Sequence, residues 1–126
     1  MVAAQRDIVV IGAGPAGSGA AREAALRGLS PLLVERDESP GVGNACGGLV
    51  ASALCATLEL GPGVVERRIQ RTILRIDSRR VEFNSERPYF ISFRRARFDA
   101  FLAERAVQVT PSPRIDPGVV RGSIRQ

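Results

Sequence analysis

The pattern of apolar positions predicts a β-α-β unit at the start of the chain. Residues 7–11 (DIVVI) form a short apolar run that ends at a glycine, as in a parallel strand buried on both faces. The alanine-rich segment 16–27 is helical in character and precedes Gly28, a residue typical of the position after a helix. Residues 31–35 (PLLVE) predict a second short strand. This order favours a parallel pair of strands joined by a right-handed crossover.

Beyond this unit the period of the pattern changes. Residues 37–48 have the composition of a loop, and 49–60 (LVASALCATLEL) predict a helix that ends at a Gly-Pro-Gly sequence. Alternation with a period of two then predicts three short antiparallel strands within 69–93. Helical spacing returns afterwards and predicts a last helix. Its apolar positions are Phe98, Phe101, Leu102 and Ala106.

These elements predict an α/β fold, a Rossmann-like unit with a small antiparallel β-rich insertion. We expect a single domain over residues 1–126, with an atypical tail at 108–126 whose prolines forbid a helix and discourage a central strand. A Rossmann-like sheet needs further parallel strands, and the pattern offers none after Val107. We therefore expect an incomplete sheet, uncovered apolar faces at 8–11 and 32–34, and a reading frame truncated near Val107.

The composition excludes several classes of function. All 18 basic side chains are arginines, scattered along the chain, and only 5% of the residues are aromatic, so we predict no nucleic-acid partner despite a net charge of +5. Histidine is absent and Cys46 and Cys55 match no zinc spacing, so we predict no metal. We see neither a leader pattern nor a membrane-spanning apolar run, and we expect a soluble, cytoplasmic protein.

The letters GAGPAG, which begin at Gly12, carry the most specific chemical signal. They form a G-x-G-x-x-G motif between a predicted strand and a predicted helix. Gly12 permits a tight turn, Gly14 lets a diphosphate approach the backbone, and Gly17 lets the helix lie close to the sheet. Pro15 and Ala16 begin the helix, whose N–H groups and positive dipole end favour phosphate. We therefore expect a dinucleotide site, the alternative being a tight turn without a ligand.

An acidic residue at the end of the second predicted strand supports this expectation. Glu35 lies 18 residues after Gly17, where a carboxylate accepts two hydrogen bonds from the adenosine ribose and repels a 2′-phosphate. We therefore expect NADP to be rejected. The alternative for Glu35 is an exposed strand end. The spacing alone does not distinguish FAD from NAD.

Residues 7–37 (DIVVIGAGPAGSGAAREAALRGLSPLLVERD) resemble the ADP-binding element of FAD-dependent oxidoreductases, whose second strand commonly ends in Glu-Arg, here Glu35-Arg36. Residues 41–50 (GVGNACGGLV) and 94–106 (RRARFDAFLAERA) narrow this likeness. Together they resemble the geranylgeranyl reductase family, flavoproteins that saturate isoprenoid double bonds. The resemblance covers about residues 7–107.

The resemblance implies FAD as the cofactor and adds residues to the predicted site. It places Cys46, Gly47 and Gly48 near the flavin ring and the substrate cavity. It also implies an Arg-x-x-Phe-Asp element that directs its arginine toward the cofactor, here Arg95, Phe98 and Asp99. Arg36 is added to the predicted cofactor site because it belongs to the Glu-Arg pair of the family. The alternatives are packing for Cys46, loop shaping for the two glycines and an ordinary surface position for Arg95. No catalytic residue is assigned.

The resemblance also implies a function. The chain is then the FAD-binding portion of an oxidoreductase that reduces geranylgeranyl or other isoprenoid C=C bonds when complete. Chains of the family are about three times as long, so we expect this one to be too short to act alone. A prenyl-lipid substrate would bring contact with a membrane surface. Two alternatives stay open: another FAD-dependent oxidoreductase, of the aromatic hydroxylase or quinone-linked electron-transfer type, and a non-catalytic nucleotide-binding module.

Overall fold

The computed structural model describes residues 5–43, 45–109 and 115–117, and the chain divides into two compact units. The first unit takes Met1–Asn44 and Arg95–Gln126, and the second takes Ala45–Arg94. The elements of the first unit are β1 (Ile8–Ile11), α1 (Pro15–Leu26), β2 (Pro31–Glu35), α3 (Arg95–Gln108) and β8 (Ile115–Pro117). Those of the second are β3 (Leu49–Ala51), α2 (Ala53–Thr57), β4 (Val65–Ile69), β5 (Arg71–Ile76), β6 (Arg79–Asn84) and β7 (Phe90–Phe93).

The first unit confirms the predicted β-α-β arrangement. Strands β1 and β2 are parallel, with Ile8 opposite Pro31 and Ile11 opposite Val34. The proline at the first position of α1 suits a helix start, because its missing N–H has no partner there. Gly28 ends the helix with a positive φ of 84°, and its N–H donates to the carbonyl of Ala25 at 3.0 Å.

Small side chains let the two long helices of the first unit pack closely. The buried cluster is dominated by alanine, with Val10 packed against it. Its members are Ala13, Ala21, Leu33, Ala103 and Ala106. The predicted final helix is therefore confirmed, and Phe98 is buried on it as expected. No helix among the described residues has the length and apolar character needed to cross a bilayer.

The burial of the parallel strands differs from the pattern-based expectation. The sequence pattern predicts that β1 is buried on both faces. In the structure β1 lies at an edge of the described sheet, and Ile11 is 69% exposed. The expected uncovered face at 8–11 is thus confirmed. The same expectation for 32–34 is wrong, because β2 is the central strand and Leu33 and Val34 are buried.

A third parallel strand comes from the proline-containing tail. We expected no strand after Val107, but β8 pairs with β2 in parallel, with Ile115 opposite Leu33 and Pro117 opposite Glu35. Because β8 lies at the other edge of this sheet, a proline costs it no hydrogen bond to a further strand. Three residues are too few to show a periodic pattern, and the partner of β8 is distant in sequence.

The second unit is antiparallel, as predicted, but it contains more strands. Strands β5, β6 and β7 fall within the predicted region, whereas β4 and β3 were not predicted. The expected helix over 49–60 is wrong in its first part. Residues Leu49–Ala51 instead pair with β7, and only Ala53–Thr57 are helical. Pairing with a strand about forty positions away overrides the local helical preference of this segment.

The β5–β6 hairpin has one apolar and one charged face. Thr72 is opposite Phe83 and Leu74 is opposite Val81, and all but the threonine are exposed, large apolar side chains. On the other face, Glu82 accepts hydrogen bonds from Arg71 at 2.6 Å and from Asn84 at 3.2 Å, and it forms an ion pair with Arg80. These hydrogen bonds, that of Arg71 foremost, lower the pKa of Glu82.

The ion pairs of Glu82 predict a pH-dependent contribution to the free energy of unfolding. Because the pKa of Glu82 is lower in the folded than in the unfolded chain, its contribution is present above the ordinary glutamate pKa and is lost as the pH falls through the lowered value. NMR titration of the Glu82 carboxyl should show a midpoint below the ordinary value, and Arg71→Gln should raise it. Arg75→Gln, on the same strand, is the control and should have a smaller effect. Equal shifts in both variants would contradict the assignment to Arg71.

Candidate functional site

The glycine motif forms a tight turn between β1 and α1. The backbone N–H of Gly12 donates to the carbonyl of Val34 at 2.7 Å, which continues the pairing of β1 with β2 by one residue. Gly12 then has φ of +96°, a conformation that side chains rarely adopt. The predicted reason for this glycine is confirmed, because it turns the chain off the strand.

The peptide groups around Ala13 hold this turn in place. The N–H of Ala13 donates to Oε2 of Glu35 at 2.6 Å, and the Ser18 hydroxyl donates to the carbonyl of Ala13 at 3.0 Å. Ala13 is fully buried, and Ser18 is buried as well. The turn is therefore tied to the end of β2 on one side and to the first part of α1 on the other.

Glycine occupies the other two positions of the motif for two different physical reasons. A β-carbon on Gly17 would lie 1.8 Å from the carbonyl oxygen of Gly12 and 3.4 Å from Val10, so only glycine lets the helix approach the turn and β1. A β-carbon on Gly14 would meet a single described atom within 4 Å, a guanidinium nitrogen of Arg95 at 3.9 Å. Folding therefore requires Gly17, whereas at Gly14 the missing side chain leaves space beside the backbone.

Glu35 serves the turn itself, a role that the sequence analysis did not predict. Besides the Ala13 N–H, its carboxylate accepts the backbone N–H groups of Arg36 at 2.8 Å and Asp37 at 3.1 Å. A carboxylate offers about four acceptor positions, so about one is left for a ligand. Its predicted hydrogen bonds to a ribose stay a prediction.

An open cleft lies directly after the end of β2. It has a volume of about 670 Å³, in the range of small-molecule sites. Its lining residues are Arg36, Asp37, Glu38, Ser39, Val42 and Gly43. The Arg36 side chain is exposed and donates to Asp37 at 3.2 Å, and this hydrogen bond raises the pKa of Arg36. The cleft is at the carboxyl end of a parallel strand, where ligands of open α/β sheets bind.

Arg95, the first residue of α3, is brought to the glycine turn. Its guanidinium makes two hydrogen bonds to the carboxylate of Asp99, from Nε at 2.9 Å and from Nη2 at 2.8 Å. The same Nη2 is the atom next to Gly14. Open space, a helix N-terminus without a side-chain cap and a nearby guanidinium together fit an anionic diphosphate.

The predicted Cys-Gly-Gly residues lie in the second unit. Gly48 has φ of +58°, and a β-carbon there would lie 2.0 Å from the carbonyl oxygen of Phe93, so close packing against β7 already requires this glycine. The Cys46 sulfur is exposed and accepts the Gly48 N–H at 3.4 Å. Around Gly47 no described atom lies within 4 Å of an added β-carbon. Their predicted role near a flavin stays a prediction.

The sequence pattern predicts neither the role of Ser18 nor the ion pair and burial of Asp99. Ser18 directly follows the motif, and a serine inside a helix often bonds a preceding carbonyl, which was the available signal. Asp99 follows Arg95 by four positions, the spacing of ion pairs on a helix. Its complete burial, however, depends on the loop after β2 and is not visible in the sequence.

The turn, the acidic strand end and the parallel unit define a dinucleotide-binding domain, and comparison with known families specifies its class. The family model described as FAD dependent oxidoreductase matches residues 7–118. The chain belongs to this family, and its cofactor is FAD. The match extends past residue 107, where the sequence analysis placed the end of the resemblance.

Individual relatives agree with this assignment. The chain is 36% identical over 104 residues to digeranylgeranylglycerophospholipid reductase 1 of Methanopyrus kandleri, covering 81% of this chain and 27% of the relative. It is 37% identical over 123 residues to an Escherichia coli protein named "probable electron transfer flavoprotein-quinone oxidoreductase", covering 87% and 29%. The chain therefore spans less than a third of the length of these relatives.

A solved structure supports the fold. A geranylgeranyl bacteriochlorophyll reductase-like protein from Thermoplasma acidophilum superposes with a TM-score of 0.74 at 26% identity. The superposition covers 82% of this chain and 28% of that protein. The α/β, Rossmann-like fold expected from the sequence is thereby confirmed.

The two glycines of α1 provide a test of the turn geometry. Gly17→Ala should destabilise the chain by several kcal/mol, because the new methyl group overlaps the Gly12 carbonyl. Gly19→Ala meets no described atom within 4 Å and should stabilise by about 0.5–1 kcal/mol through helix propensity. Urea unfolding followed by circular dichroism measures both changes. A neutral Gly17→Ala would contradict the close approach of helix and turn.

Proposed function

We propose that this chain is the FAD-binding portion of an oxidoreductase that reduces C=C bonds of isoprenoids. The open space at Gly14 is the observation that supports FAD binding. The fold has room for a side chain at this position, so folding alone does not require a glycine there. A gap kept beside a helix N-terminus and a guanidinium is suited to a ligand with a diphosphate group.

The site residues of the first unit then have defined roles toward the cofactor. Backbone N–H groups at the start of α1 bind the diphosphate, and Arg95 balances its charge. Glu35 accepts a ribose hydroxyl with its remaining acceptor position, and the cleft after β2 takes the adenosine end. Pro15, Ala16 and Arg36 line this path by their places at the helix start and the strand end. Bound FAD supplies a carrier of hydride.

The isoprenoid substrate is supported by two observations. The Methanopyrus kandleri relative is a reductase whose name specifies a digeranylgeranyl phospholipid. In addition, the second unit has an apolar groove of about 490 Å³, lined by Thr72, Leu74, Phe83, Asn84, Ser85, Tyr89 and Phe90. The Tyr89 hydroxyl donates to Thr72 at 2.7 Å, so its polar end is already satisfied. Such a surface favours a hydrocarbon chain over a polar substrate.

A quinone-linked electron-transfer oxidoreductase is the second candidate. It is favoured by the Escherichia coli relative, which is as similar to this chain as the lipid reductase is. A reductase adds a hydride and a proton across the substrate C=C bond, whereas a quinone takes up two electrons and two protons at its oxygens. The products therefore distinguish the two functions.

We also propose a cytoplasmic location. Two cysteines nine positions apart in a chain of 126 residues are not the pattern of a secreted disulfide framework. A prenyl-lipid substrate would additionally bring the protein to a membrane surface, without any spanning segment being needed for this contact.

Gly14→Val tests cofactor binding. The purified wild-type chain mixed with FAD should retain flavin absorbance after desalting. The variant should lose it, because the valine side chain fills the space for the diphosphate. Its fold should persist at a cost of about 1 kcal/mol, since valine is a poor N-cap residue. Gly19→Ala is the control and should retain the flavin. A folded Gly14→Val chain with wild-type flavin content would contradict the proposal.

Product analysis in a longer protein tests the substrate, because this chain spans less than a third of its relatives and is expected to be too short to act alone. Residues 7–118 of this chain replace the matching segment of the Methanopyrus kandleri lipid reductase. The bound FAD of this chimera is reduced with dithionite under anaerobic conditions, excess dithionite is removed by desalting, and a geranylgeranyl lipid or a prenylated quinone is added.

We expect mass spectrometry to show lipid that has gained two hydrogens per reduced bond while the flavin is reoxidised, at a rate above that of the chimera with Gly14→Val. Faster flavin reoxidation by the quinone, with unchanged lipid, would favour the second candidate. Flavin binding without either product would favour a non-catalytic module.

A further inference from the structure

The structure contains a buried carboxylate, that of Asp99, which the proposed function does not yet use. Asp99 is 0% exposed, and both of its carboxylate oxygens accept hydrogen bonds from Arg95, one turn earlier on α3. Exposed pairs at this spacing contribute little to stability, and burial of a carboxylate is costly unless a charged partner compensates it. The burial of Asp99 is therefore not explained by helix stabilisation alone.

The loop after β2 covers this carboxylate. Gly41 has φ of +78°, and a β-carbon there would lie 2.5 Å from the Arg95 carbonyl oxygen and 2.9 Å from Oδ2 of Asp99. Only a glycine allows the loop backbone to come this close. The carboxylate is thus enclosed between its own helix and the loop, and its position is fixed.

The other end of the pair reaches the dinucleotide turn. Nη2 of Arg95 is bonded to Asp99 and is also 3.9 Å from the place of a Gly14 β-carbon. An arginine side chain has many rotamers, and two parallel hydrogen bonds to one carboxylate restrict it to a single orientation. The Arg95 side chain remains 23% exposed, while its anchor is completely enclosed.

We propose that Asp99 is a positioning residue for the cofactor diphosphate, acting through Arg95. It fixes the guanidinium beside Gly14 before the ligand arrives, so the cost of ordering that side chain is met during folding rather than during binding. This inference rests on the proposed function of the first unit. It predicts that loss of Asp99 weakens diphosphate ligands selectively, since adenosine does not contact Arg95.

The experiment compares two ligands in the full chain. Isothermal titration calorimetry gives the affinities of ADP and of adenosine for wild type and for Asp99→Asn, which keeps the shape but removes the charge. We expect ADP affinity to fall about tenfold, the scale of one charge-assisted hydrogen bond, and adenosine affinity to change less than about twofold. A purely structural role for Asp99 would weaken both ligands equally, and that result would overturn the proposal.

A double-mutant cycle tests whether Asp99 acts through Arg95. Arg95→Gln should lower ADP affinity at least as much as Asp99→Asn does. In the Arg95→Gln background, Asp99→Asn should then cause no further loss. Additive losses would show that the two residues act independently and would overturn the proposal.

A matched control and a second variant keep the test decisive. Glu23 and Arg27 form an ion pair of the same spacing on α1 at 2.9 Å, but both side chains are exposed, so Glu23→Gln should leave ADP affinity unchanged. If Asp99→Asn does not fold, Asp99→Glu retains the charge pair while its longer side chain displaces the guanidinium, and the same selective loss is expected. Wild-type ADP affinity in Asp99→Glu would overturn the proposal. A wild-type chain that binds neither ADP nor FAD would instead overturn the proposed function itself.

Discussion

The hydrogen bond from the Ala13 backbone N–H to the Glu35 carboxylate is the interaction on which the site depends. It joins the glycine turn to the end of the neighbouring strand at 2.6 Å, and Ser18 completes the clamp from the helix side at 3.0 Å. With the peptide fixed in this way, Gly12 keeps its positive φ and the space at Gly14 stays open. The space that we propose for the diphosphate is therefore a consequence of how one buried peptide is held.

This arrangement couples stability to binding in one side chain. Glu35 accepts three backbone N–H groups and has about one acceptor position left, which we propose binds a ribose hydroxyl. From its position at the end of a strand in the sequence, we expect the Glu35 carboxylate to bind only a ligand. In the structure, the same charge first organises the turn. In our proposal Arg95 follows the same principle, because its anchor Asp99 is buried within the fold.

The parts of the fold that could be predicted are those specified by short-range pattern. The β-α-β unit, the glycine turn and the helix at 95–108 follow from periodicity, helix-end residues and motif spacing. The misassigned segments are short strands, β3 and β8, whose conformation is set by partners distant in sequence. The burial of Asp99, a member of the Arg-x-x-Phe-Asp element, was not predicted for a similar reason, since it depends on Gly41 in a separate loop. Long-range pairing and enclosure produce almost no recognisable pattern within a single segment of the sequence.

The substrate is determined by other features than the cofactor turn. A relative named as a lipid reductase and one named as a probable electron transfer flavoprotein-quinone oxidoreductase match this chain at 36% and 37% identity, and one fold can serve different substrates. What can separate such relatives is the surface that meets the substrate. The groove of the second unit, which we propose for the substrate, is apolar and is lined by Leu74 and Phe83, with Val81 opposite Leu74. Since a bare hydrocarbon chain offers a protein nothing but apolar area, this unit, rather than the turn, is where selection for an isoprenoid would act.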